Sequence, residues 1–167
     1  VLTMTGTATV KLEGVTITGG TGTPIVDPLA AERTVVVCGG GIEITAGTLQ
    51  LVDVEITGNT LPDPTESGVL PAVLTAGGGV CMVDGTLEWT GGRVWENAAQ
   101  LGGGGAFYAG TVTMDQVEIV ENTAAYGGAM WIGSPTLDAE QVRSWCNTAT
   151  SEGGSFYLAL SNSIASY

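Results

Sequence analysis

Thr86, Thr111 and Thr136 are separated by 25 residues each time, and Asn97, Asn122 and Asn147 keep the same step. A unit this short cannot bury its apolar side alone, so a chain built from it has to stack its units on one another. Glycine clusters at Gly39–Gly41, Gly77–Gly79, Gly102–Gly105, Gly127–Gly128 and Gly153–Gly154 mark the laps. The first four are followed, 17 to 19 residues past their last glycine, by Asn59, Asn97, Asn122 and Asn147. Between glycine and Asn lies a third marker: Thr48, Thr86, Thr111 and Thr136, with Thr9 standing in the same place in an earlier lap.

Inside a unit the apolar residues alternate with period 2, as in strands. Leu49 and Leu51 align with Leu87 and Trp89, then with Val112 and Met114, while Gln50, Glu88, Thr113 and Asp138 fall between apolar neighbours. No segment has helical spacing. The expectation is one all-β domain over residues 1–167, a parallel β-helix of about five to six coils stacked about 4.8 Å apart, part of a longer chain. Residues repeated in register then form ladders, with glycine at tight bends and Asn able to enter the left-handed region and bond to the next Asn.

Two steps are longer than the rest: Asn59 to Asn97 is 38 residues, and Thr9 to Thr48 is 39. The surplus, at about 21–38 and 60–76, is rich in proline and reads as two inserted loops on one corner, where repeat proteins often carry a binding face. Composition agrees with an all-β body: 27 glycines, 44% hydrophobic residues and only 13% charged ones. The formal net charge of −13 repels phosphate backbones and anionic lipid, which argues against nucleic acid and membrane surfaces as partners. No apolar run reaches the roughly 20 residues of a membrane helix. Val1–Met4 has neither a basic region nor a cleavage motif, so no signal peptide is visible, and the chain reads as an excerpt or a processed piece. Cys38, Cys81 and Cys146 form no CxxC; they leave open one disulfide with one buried thiol, or three buried thiols.

Gly-Gly-apolar occurs as Gly40-Gly41-Ile42, Gly78-Gly79-Val80, Gly104-Gly105-Ala106 and Gly127-Gly128-Ala129. It alternates with apolar-x-x-Asn at Ile56/Asn59, Val94/Asn97 and Ile119/Asn122. This pairing resembles the repeats of chlamydial-type polymorphic outer-membrane proteins, with Ile or Val in place of that family's usual Phe, Ser144 before Asn147, and Gly20 in place of a first Asn. The resemblance implies a right-handed parallel β-helix on a bacterial cell surface, exported as an autotransporter-like passenger and used as a non-catalytic adhesin. Its partner would be a host, cell or glycan surface.

The outward column Thr16, Glu55, Arg93, Glu118, Arg143 alternates in sign from Glu55 onward and reads as a salt-bridge ladder that holds register. The Thr column is structural rather than ice-binding, because its Thr-x-Thr pairs fall in different registers. Alternation after the glycines puts Phe107, Met130 and Phe156 outward, and Thr57, Trp95, Val120 and Trp145 form a second outward column; the aromatic and apolar members of both columns are binding candidates. Trp faces of this kind stack on sugar rings or pack beneath a loop.

Parallel β-helices also host polysaccharide-active enzymes. Here Glu88 and Asp138 share a column, two coils apart, and the chain has no His, so the catalytic assignment is none. No cofactor is expected. Calcium has candidate ligands in Asp27 and Glu32, or Asp63 and Glu66, without a supporting motif spacing. The chain starts and stops part-way through a lap, and uncapped ends expose strand edges; the alternative to an adhesin is a structural protein whose copies stack end to end into a fibre.

Overall fold

A computed structural model describes residues 1–26, 35–62 and 73–159. Every regular element among them is a strand. Sheet 1 contains β1 (Leu2–Met4), β6 (Ile42–Ile44), β9 (Val80–Met82), β11 (Gly105–Phe107), β15 (Met130–Ile132) and β19 (Phe156–Leu158), all parallel and adjacent in that order. Sheet 2 stacks five levels: β2 (Thr9–Glu13) with β3 (Thr16–Thr18), β7 (Thr48–Thr57), β10 (Thr86–Trp95), β12 (Thr111–Asp115) with β13 (Glu118–Val120), and β16 (Thr136–Glu140) with β17 (Arg143–Trp145). Each level pairs in parallel with the next, and the chain visits the sheets in the same order on every lap.

The third layer comes in two pieces. One contains β4 (Thr23–Val26), β5 (Val35–Cys38) and β8 (Val73–Ala76); the other contains β14 (Thr123–Tyr126) and β18 (Thr148–Glu152). Between them, residues 98–101 make only single-residue bridges, Ala98 to Thr60 and Thr123, and Leu101 to Ala76 and Tyr126. The stretches expected to be loops at about 21–38 and 60–76 therefore carry strands among their described residues. The β-branched and apolar runs "VVVC" and "VLTA" suit a pleated surface and pair residue for residue, Val36 with Leu74 and Cys38 with Ala76. Among the described strands only β4 runs antiparallel, against β5.

Two apolar clusters explain the layering. Ile42, Ile44, Val80, Met82 and Phe107 of sheet 1 pack on Leu49, Leu51, Leu87, Trp89 and Val112 of sheet 2. The residues between them in sheet 1, Cys81, Ala106 and Trp131, pack instead with Val36, Cys38 and Ala76 of the third layer. Sheet 1 is thus covered on both faces from β6 to β15; β9, β11 and β15 read as continuous apolar runs, as doubly covered parallel strands do, while β6 buries Glu43 between Ile42 and Ile44.

That cover corrects the outward assignment of Phe107 and Met130. Sheet 1 pairs Val80 with Gly105, Met130 and Phe156 in one column, and Met82 with Phe107, Ile132 and Leu158 in another. Both columns face sheet 2. The slip has two sources: at the four-glycine cluster Gly105 is a strand residue opposite Met130, not the last of a turn, which displaces Phe107, and in the two following laps Ala129 and Ser155 stand where Gly104 does, which displaces Met130 and Phe156. A Cβ at Gly105 would lie 2.8 Å from Cζ of Phe107, so the Phe107 ring fills the space that a side chain at 105 would occupy. Phe156 is exposed because it stands on the last level, although it faces the core column.

Candidate functional site

The Asn corner is the most ordered polar feature of the stack. Asn59, Asn97 and Asn122 are buried and Asn147 is half-buried. Asn59 Nδ2 donates to Oδ1 of Asn97 at 2.9 Å, Asn97 Nδ2 to Asn122 at 3.0 Å, and Asn122 Nδ2 to Asn147 at 3.0 Å. The same Oδ1 atoms accept the backbone N–H of the preceding Asn, and Asn59 Oδ1 accepts from Gly20. Each amide nitrogen also lies within bonding distance of a carbonyl one level back: Ile17, Ile56, Val94 and Ile119. A buried amide satisfied on both sides rigidifies the corner and leaves nothing free for a ligand. The left-handed residue at this corner is not the Asn, as expected from sequence, but the one before it: Glu96, Glu121 and Cys146 have φ of 53°, 56° and 54°.

The Thr column is in register throughout, Thr9, Thr48, Thr86, Thr111 and Thr136 lying on successive levels of sheet 2. Glu55, Arg93, Glu118 and Arg143 are likewise register partners. Their ion pairing is sparse. Within this column, Arg143 Nη1 to Glu118 Oε1, at 3.9 Å, is the one ion pair among the described residues. Arg93 instead lies over the Trp95 ring, 5.1 Å from its centroid. On the neighbouring column Glu88 aligns with Thr113 and then Asp138, and Glu88 accepts a 2.8 Å bond from Gln50. Among the described residues no group of three or more His, Cys, Asp or Glu side chains is placed to hold a metal ion. Asp27, Glu32, Asp63 and Glu66 lie outside the described residues.

The column next to the Asn corner runs Thr57, Trp95, Val120, Trp145. Its members differ sharply in access. Val120 is fully buried between the two Trp levels, which removes it as a contact residue. Trp95 is half-covered by Arg93, and its Nε1 is buried without a hydrogen-bond partner. Trp145 is 40% exposed and stands on the same strand as Arg143, whose side chain is 77% exposed. A flat ring beside a solvated guanidinium offers stacking and hydrogen-bond donation together.

A second aromatic group was not singled out by the sequence. Tyr126 is exposed at the end of β14 and meets Tyr157 edge-on, with ring centroids 5.4 Å apart. Trp131 and Tyr108, 4.8 Å apart, lie deeper in the same layer and are buried. Registering Gly103 with Gly128, rather than matching the last glycines, would have placed Trp131 and Tyr157 in the column away from sheet 2. Compared with known proteins, the chain matches no family model, no curated protein and no solved structure.

Proposed function

We propose that the chain is a right-handed parallel β-helix that serves as a non-catalytic bacterial cell-surface scaffold, adhesin-like, and binds a protein or glycan partner through exposed aromatic side chains. Two continuous sheets and a third layer visited in constant order, with parallel in-register pairing between laps in sheets 1 and 2, support the β-helix. The repeat resemblance supports the surface setting and the autotransporter-like export. The observation that carries the binding role is Trp145: a large ring 40% exposed on an outward column beside the solvated guanidinium of Arg143, whereas the Trp95 ring in the same column is half-covered, with Arg93 over it. Tyr126 supplies a second exposed ring. The test is binding of the full chain to arrayed glycans and to immobilised host cells, with Trp145→Ala alongside. A drop of about tenfold or more with unchanged thermal unfolding supports the reading; equal binding by the variant contradicts it.

A further inference from the structure

We infer that Gln116, Glu118, Gln141, Arg143 and Trp145 form a subsite for one neutral hexopyranose ring of a glycan. The inference rests on the proposed binding role of Trp145 and names the ligand class that its surroundings accept. The first four side chains line a cleft on the outer side of sheet 2. Its volume of 280 Å³ is just below the range of about 300–1,000 Å³ for drug-sized ligand sites, which suits one sugar ring better than a peptide strand.

The walls of the cleft have a fixed backbone and free side chains. Gln116 stands at the bend between β12 and β13, and Gln141 at the bend between β16 and β17, one level on, with φ of 57° and 51°. One level earlier the same bend has Gly91, so two amide side chains stand where a left-handed backbone favours glycine. Gln116 N–H donates to the Glu140 carbonyl at 3.1 Å, and Arg143 N–H to the Val117 carbonyl at 3.0 Å, which ties the two levels together. Among the described residues neither Gln side chain has a hydrogen-bond partner. Arg143 Nη1 and Glu118 Oε1 are 3.9 Å apart, beyond hydrogen-bond reach, and the two side chains are 77% and 40% exposed. Two amides, a carboxylate and a guanidinium, all planar, therefore face one small volume with their bonding capacity unused.

Trp145 adds an apolar platform. It lies two residues beyond Arg143 on β17, hence on the same face of the strand. The same spacing in Arg93 and Trp95 on β10 shows that this geometry seats a flat group over the ring, there the guanidinium at 5.1 Å. Trp145 is 40% exposed, and among the described residues no cation lies over it. The C–H face of a pyranose fits such a ring, while its vicinal hydroxyls, each a donor and an acceptor, bridge the planar side chains. The cleft holds one carboxylate and one guanidinium, so it offers no net charge to an acidic or a basic sugar, and the −13 of the chain repels polyanions.

The experiment titrates the folded full chain with cello-, malto-, manno- and galactotetraose, and with tetragalacturonate and tetraglucosamine as charged controls, by saturation-transfer NMR and calorimetry. The variants are Trp145→Ala and Gln116→Gly/Gln141→Gly; Gly91 shows that the bend accepts glycine, and thermal unfolding checks that the double variant keeps its fold. The expected result is binding of at least one neutral tetraose, weakened about tenfold or more by each variant, with the charged oligomers weaker by a similar factor. Binding that needs Trp145 but not the two Gln side chains, or that favours a charged oligomer, overturns the inference and leaves the Trp145 reading in place. Trp145-dependent binding to host cells without a response to any neutral sugar does the same. Binding indifferent to Trp145, or no binding to sugars or cells, overturns both.

Discussion

Sheets 1 and 2 are built from the same laps of the same chain, yet one is covered on both faces and the other on one. In sheet 2, Leu87 and Trp89 are buried while Glu88 between them and Thr90 after them are exposed. In sheet 1 all three residues of β9, and all three of β11, are buried. The polar face of sheet 2 carries the Thr and charge columns, where substitution meets water. The corresponding face of sheet 1 meets Val36, Cys38 and Ala76, so its middle positions behave as core. Alternation in a strand therefore reports how many faces are covered, not which residues face a partner.

The contrast is largest for one substitution made in both places. Ala106→Gln puts a long amide into the packed second cluster and should cost about 3 kcal/mol or more, through overpacking and an unsatisfied polar group. Thr113→Gln, on the open face of sheet 2, should stay within about 0.5 kcal/mol. Urea unfolding of the two variants measures the gap, and equal costs would break the distinction between the sheets.

The Asn corner closes sheet 2, with its amides bonded to sheet 2 carbonyls, and sharpens the comparison along the stack. Asn122→Ala strips acceptors from the N–H and Nδ2 of Asn97 in a buried site and should cost about 2–4 kcal/mol. Asn147→Ala, half-buried on the last level, should cost about half as much by the same measurement. A smaller effect is expected from Arg143→Ala. Its 3.9 Å pair with Glu118 is exposed, so stability should move by less than about 0.5 kcal/mol. The proposed partner binding through the adjacent Trp145 should weaken more visibly, read as a faster dissociation rate.

The all-β class and the parallel stacking were legible because the 25-residue step in Thr and Asn has a single physical solution, a lap that returns to the same register. The column Glu55, Arg93, Glu118, Arg143 could be read for the same reason, although register alone did not say that Arg93 would turn onto Trp95. What sequence could not supply was the cover on sheet 1. A three-residue strand such as "VCM" has the same pattern whether its middle residue meets water or another layer. The four-glycine cluster hid the register at Gly105, since nothing local distinguishes a turn glycine from one that makes room for Phe107. The choice of Cys38 and Cys81 as partners depends on the β5 and β9 positions in different layers, which no spacing encodes. Cys146, expected to be buried if free, is exposed at a left-handed corner.

The stack itself is tested most directly by a distance across it. Thr9 and Thr136 lie in one column, four levels apart, and both are exposed. Spin labels on Thr9→Cys and Thr136→Cys, in a Cys146→Ser background with the native disulfide intact, report that distance by pulsed electron resonance. Four steps of about 4.8 Å predict a narrow distribution centred near 19 Å, broadened by the label arms to roughly 15–25 Å. A distribution centred beyond about 30 Å would mean that the laps do not stack in register, and would contradict the account.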